Sequence, residues 1–238
     1  MGQGWRIFRQ DIQAFIGFLI ILILINVVLG LVPGVGQIVN LIVYPVLNAG
    51  FLIYSFKIIR QQKRQFEDFF AGFSQFGEII LFSIISTILA TLPIVPGLVM
   101  IFFGIIQLFA NGSTPNSSDL INWQEPFSSL LGAGTLVLLL GLIPSTYLNT
   151  SYALALPLII DRRAQFWPAM EMSRKLVDKH WFGMFLFLGC LGCLNFLAVI
   201  CFLVGLLITI PVSMCAIAAV YADIVGMAPK LDQPSQRF

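Results

Sequence analysis

Residues 18–25 read Phe18-Leu19-Ile20-Ile21-Leu22-Ile23-Leu24-Ile25, eight apolar side chains in unbroken succession. The alternation of apolar and polar residues that a barrel strand needs is absent. The run sits in a window, 12–56, that contains no Asp, Glu, Lys or Arg, and three more such windows follow at 79–118, 126–160 and 181–222. About 20 apolar residues span a bilayer core, so every window exceeds what one straight helix needs. Backbone groups in lipid must find their partners within the chain, and an α-helix supplies them locally. The expected fold is all-α, a polytopic transmembrane helix bundle of about six spans.

Composition agrees. The chain is 58% hydrophobic and 10% charged, with a mean hydropathy of +0.94, whereas soluble domains are about a quarter charged. Its 238 residues make one integral membrane domain, 1–238, with no room for a soluble catalytic domain. The net charge of +2 comes from basic residues at membrane flanks, so nucleic acid is not an expected partner. The lipid bilayer is, and other membrane proteins are candidates; the oligomeric state is open. The start, Met1-Gly2-Gln3-Gly4-Trp5-Arg6, has no small-residue cleavage site after its apolar run, and reads as preceding a retained first helix. It lacks the Ser or Thr of a myristoylation signal.

The expected spans are 13–31, 37–56, 77–110, 129–160, 181–202 and 206–223. Val32-Pro33-Gly34-Val35-Gly36 turns the first hairpin. Two windows are long enough to be read as one kinked helix or two short segments, with breaks at Leu92-Pro93-Ile94-Val95-Pro96-Gly97 and at Gly141-Leu142-Ile143-Pro144; one kinked helix each is the favoured reading. Two amphipathic segments, 65–76 and 164–180, lie outside the spans. In the first, Phe66, Phe69, Phe70, Phe73 and Phe76 recur at steps of three and four, which sets them on one face of an α-helix lying in the headgroup layer. The alternative is a helix packed into the bundle. With the N-terminus inside and six spans, all 13 basic residues fall on one side, which by the positive-inside rule is the cytoplasm. Both termini are then cytoplasmic, and the loop 111–129, which carries Asp119 and Glu125 but no Lys or Arg, is external.

Little in the sequence points to chemistry. Cys190, Cys193, Cys201 and Cys215 all lie in the last apolar window, and the CxxC at 190–193 has no second ligand pair. With Gly189/Cys193, Cys215/Ala219 and Ala218/Ala222 they read as small residues for close helix packing. Neither metal nor cofactor is expected, and no catalytic residue is assigned. Glu78, Asp161 and Asp223 stand at span ends, where solvation of helix termini accounts for them. Asp161, Glu171, His180 and Asp223 form the best available cluster, expected to anchor the cytoplasmic segment to the last helix. His180, the only histidine, stands beside Trp181 as an interfacial anchor, and Ser173 has no base partner. The buried amides Asn26, Asn40, Asn48, Gln107, Asn149 and Asn195 suit interhelical hydrogen bonds, or the lining of a polar path. Tyr44-Pro45-Val46 and Ile210-Pro211-Val212 echo one another faintly, as repeat-built transporters do, though chance supplies such a pair in so apolar a chain.

Two longer stretches carry a resemblance. One is Tyr44-Pro45-Val46-Leu47-Asn48-Ala49-Gly50, leading into Phe66-Glu67-Asp68-Phe69-Phe70-Ala71-Gly72-Phe73. The other begins Tyr152-Ala153-Leu154-Ala155-Leu156-Pro157 and continues through Asp161, Phe166-Trp167-Pro168-Ala169, Ser173-Arg174 and His180-Trp181 to Pro211-Val212-Ser213 and Tyr221-Ala222-Asp223. Together they resemble a loose group of bacterial integral-membrane proteins, similar to the membrane domain attached to some glycerophosphodiester phosphodiesterases. The resemblance implies a bacterial inner membrane; the phosphodiesterase domain itself is absent, so no activity follows from it. The functional expectation is a non-enzymatic scaffold or accessory subunit of a membrane assembly. The alternative is a transporter or channel for a small or lipid-like molecule.

Overall fold

The computed structural model describes residues 2–32, 34–110, 130–200 and 205–226, and their regular structure is helical throughout. The loop at 111–129, Cys201, Lys230 and Arg237 lie outside the described residues. Six helical stretches are long and apolar enough to cross a membrane: Ile12–Gly30, Val39–Ile59, Phe66–Thr91, Leu130–Ile160, Trp181–Ile200 and Leu206–Val225. The chain is a multi-pass, all-α membrane protein. The single domain expected from the sequence divides into two compact units, Met1–Ser83 with Ala153–Phe238, and Ile84–Tyr152.

The first unit opens with a helix that the sequence reading leaves out, α1 (Gly2–Arg9). At eight residues it is too short to display a period. It buries Ile7 and Phe8 while Trp5, Arg6 and Arg9 face outward. Gly4 sits against the backbone of the last helix, so close that a Cβ there would lie 2.7 Å from Ala216 Cα. Asp11 then caps α2 (Ile12–Gly30), accepting from Ala14 N–H at 3.4 Å and from the Tyr54 hydroxyl. The hairpin turn expected at 32–36 leads into α3 (Val35–Ile59), with Gly34 at φ 81°.

The segment expected at 65–76 is a 3₁₀ helix, η1 (Phe66–Gln75), packed into the bundle against α3. The phenylalanines therefore do not share one face. With three residues per turn, residues three apart eclipse, so Phe66, Phe69 and Gly72 form one row and Phe70, Phe73 and Phe76 another. Phe69 is 0% exposed, stacked on Phe18 at 4.3 Å and on Tyr54 at 4.2 Å between ring centroids, with Phe15 and Phe51 edge-on. Phe73, in the outer row, is 44% exposed. A side chain at Gly50 would collide with the Phe69 carbonyl oxygen, and one at Gly72 with that of Val46 (2.6 Å). That backbone contact draws η1 onto α3.

Beyond η1 the window expected as one kinked helix, 77–110, is instead two helices, α4 (Phe76–Thr91) and α5 (Val95–Ala110), because Pro93 and Pro96 interrupt it at 92–94. The other break is not where the sequence places it. Pro144 lies inside α6 (Leu130–Ser151), and the helix is interrupted only at 152–154, before α7 (Ala155–Ile160). A proline costs a helix one hydrogen bond, which transmembrane helices tolerate. At the true break the Leu154 N–H is taken up by Ser173 Oγ at 3.2 Å, so a distant side chain makes the interruption possible. The first unit closes with α8 (Phe166–Asp178), α9 (Trp181–Ile200) and α10 (Leu206–Val225). In the second unit α5 and α6 pack tightly: a Cβ at Gly97 would lie 2.5 Å from Leu138 Cα, and one at Gly134 2.9 Å from Ile101 N.

The two chain segments that approach the amphipathic helices are built alike. α3 ends in a Schellman turn, with Gln61 N–H on Ile58 O and Gln62 N–H on Lys57 O. α7 ends identically, with Arg162 N–H on Ile159 O and Arg163 N–H on Leu158 O. Gln61 and Arg162 both have φ 54°. Each turn leads to an extended Gln followed by Phe at a helix start, Gln65-Phe66 and Gln165-Phe166. Upstream, Asn48 and Asn149 each donate to the carbonyl four residues earlier.

Candidate functional site

Charged and polar groups of the first unit gather where α3, η1, α4, α7 and α8 have their ends, here termed the basic end. Its centre is Asp161, the C-cap of α7, whose side chain is 5% exposed. One carboxylate oxygen accepts from Arg60, the equivalent C-cap of α3; the other accepts from Arg163 and, at 3.1 Å, from the Tyr221 hydroxyl of α10. Two repeated helix ends are thus joined cap to cap by an ion pair, and the last span is tied to both. Lys57 pairs with Asp68 at 2.6 Å, and Asp68 also accepts the Gln65 N–H at 2.8 Å, fixing the start of η1. Glu78, in the first turn of α4, accepts the Phe166 N–H at 2.7 Å. A carboxylate at a helix N-terminus meets an otherwise unpartnered donor and the favourable end of the dipole.

The four residues of the expected anchor cluster do not meet. Asp161 alone ties the segment to the last helix, and it does so through Tyr221, two residues before Asp223. Asp223 is exposed. Glu171 is exposed and pairs with Lys175 on its own helix at 2.7 Å, and that hydrogen bond holds its carboxyl below the usual carboxylate range. His180 is exposed in the turn between α8 and α9, where its N–H donates to Val177 O at 2.9 Å; Trp181 stacks on Phe185 at 5.2 Å. The sequence reading missed Arg60 and Tyr221 as partners of Asp161, and assigned Glu78 to solvation of a helix end where it instead accepts the Phe166 N–H. The signal for the first was available in the parallel between Ile58-Ile59-Arg60-Gln61 and Ile159-Ile160-Asp161-Arg162; no local pattern marks the other two.

Two neighbouring cavities open at this end. The larger, about 750 Å³, has Ser74, Gln75, Glu78, Arg162 and Arg163 among its polar walls. Ile159, Pro168 and Met172 give it an apolar side. The smaller, about 180 Å³, adds Lys57 and Arg60 and shares Ser74, Gln75 and Arg162 with its neighbour. With the Gln75 amide donating to Ile159 O at 2.8 Å, its oxygen accepts from Arg162 Nε at 3.1 Å. Arg162 is thereby steered into the wall between the cavities. It does so from a left-handed backbone conformation, which costs a non-glycine residue about 1 kcal/mol.

Of the amides expected to be buried in the spans, Gln107 is exposed, while the five asparagines are engaged with the helices themselves. Asn40 donates to Asn26 Oδ1 at 2.8 Å, and Asn195 donates to Ser213 Oγ at 3.1 Å. Among the described residues, no group of three His, Cys, Asp or Glu side chains is placed to hold a metal ion. Against models of protein families, curated proteins and solved structures, the chain finds no match.

Proposed function

We propose that this protein is a non-enzymatic component of a membrane assembly, a scaffold or accessory subunit, whose basic end and termini face the cytoplasm. By the resemblance in its sequence, the membrane is a bacterial inner membrane. The observation that supports this reading best is how the polar groups are used. Asp161, Glu78 and Asp68 are each committed to fixing one element against another, and Asn26, Asn40, Asn48, Asn149 and Asn195 bond to their own helix or its neighbour. A transport role calls for a polar path lined by Asn40, Asn48 and Asn149. Those amides instead reach Asn26, Tyr44 O and Ser145 O, and neither cavity at the basic end includes them.

The test is native electrophoresis of membranes solubilised in mild detergent, with the tagged protein at its natural level. A discrete complex larger than the monomer with its lipid belt is expected, with partners in fixed stoichiometry. Migration as the monomer alone would set the reading aside. So would an activity abolished by His180→Ala or Asp223→Asn in a protein that stays folded and abundant.

A further inference from the structure

We infer that the larger cavity at the basic end binds a phosphate group, held by the Arg162 guanidinium, with an attached apolar portion against Ile159, Pro168 and Met172. The inference goes beyond the assembly role and stands whether or not that role holds.

Four features carry it. The cavity of about 750 Å³ is large enough for a headgroup with its glycerol. It lies at the end of α7, where the apolar stretch Leu130–Ile160 gives way to Arg162 and Arg163. Its two sides differ in polarity, as an amphiphile requires. Most telling is the state of the arginines. Arg60 and Arg163 are both committed to Asp161, whereas among the described residues no carboxylate pairs with Arg162. Glu78, the acid that also faces this cavity, is engaged with the Phe166 N–H. Gln75 takes only the Nε of Arg162, which leaves the terminal guanidinium nitrogens for a ligand. A guanidinium presents a planar fork that matches two phosphate oxygens. The residue is also costly where it stands: glycine would suit φ 54° better.

Phosphatidylglycerol and a soluble phosphate compound share this chemistry, and the experiment separates them. The full chain is purified in neutral detergent, and its thermal midpoint is followed during titration with phosphatidylglycerol, phosphatidylcholine, glycerol 3-phosphate or inorganic phosphate. A rise with phosphatidylglycerol alone identifies an anionic lipid. An equal rise with glycerol 3-phosphate or inorganic phosphate identifies a soluble ligand. Arg162→Gly is the decisive variant, because it relieves the left-handed backbone and so keeps the fold while removing the guanidinium. It should weaken the apparent affinity at least tenfold; Lys63→Ala, an exposed basic residue outside both cavities, should leave it unchanged. No response to any phosphate compound overturns the inference. So does a response that survives Arg162→Gly, or one that Lys63→Ala reduces equally, which would be diffuse charge attraction.

Discussion

At the level of single residues, Asp161 and Asp223 make opposite predictions although the sequence treats them alike. Both stand at span ends, but only Asp161 is buried and has three donors. Asp161→Ala removes an acceptor shared by Arg60, Arg163 and the Tyr221 hydroxyl. Two of those partners are partly solvated, so the loss should be about 2 kcal/mol rather than the larger cost of a fully buried pair. A thermal midpoint lowered by several degrees in detergent is expected. Asp223→Ala should stay within about 0.5 kcal/mol of wild type, as exposed substitutions do. Equal loss from the two would show that the anchor is misplaced. Arg162→Gly without ligand should instead stay within about 0.5 kcal/mol of wild type, the relief of the left-handed backbone being offset by the freer unfolded glycine and the lost bond to Gln75.

Among the elements, η1 is the informative case. Its phenylalanines recur at steps that suit an α-helix, yet a 3₁₀ helix forms because Gly50 and Gly72 let the backbone of α3 approach. Phe69 alone of these phenylalanines is then buried between α2 and α3. Phe69→Ala should cost about 3–5 kcal/mol through the cavity it leaves, and Phe73→Ala well under 1 kcal/mol. Comparing folded yield and midpoint of the two variants distinguishes this arrangement from a helix lying on the membrane, where both would matter similarly. The second unit offers a parallel. Gly97→Val should force α5 from Leu138 and lower the yield of folded protein, whereas the same change at Gly192, with nothing within 4 Å of its Cβ position, should be tolerated.

For the molecule as a whole, the prediction is sidedness. On the proposed six-span path all 13 basic residues would share one side. A cysteine introduced at Ser117, in an otherwise cysteine-free background, should react with an impermeant thiol reagent in intact cells. Labelling only after lysis would invert the proposed topology and place the basic end outside.

What the sequence determined alone is the class of the protein, five of the six spans and where charge collects; the third apolar stretch is Phe66–Thr91 and takes in the segment expected outside the spans. These depend on each segment's own transfer between water and lipid, a property of a residue and its near neighbours. The break at Pro93 belongs here too, since its cause is local. The tertiary structure decided the rest. Arg60 meets Asp161 across 101 positions and Tyr221 meets it across 60; nothing near any of them in the chain selects the pairing. The interruption falls after Ser151 rather than at Pro144, because Ser173 is there to accept the freed N–H. Phe69 goes inward and Phe73 outward because α3 presents a glycine at the crossing. Several packings satisfy one apolar pattern, and contacts between distant segments choose among them.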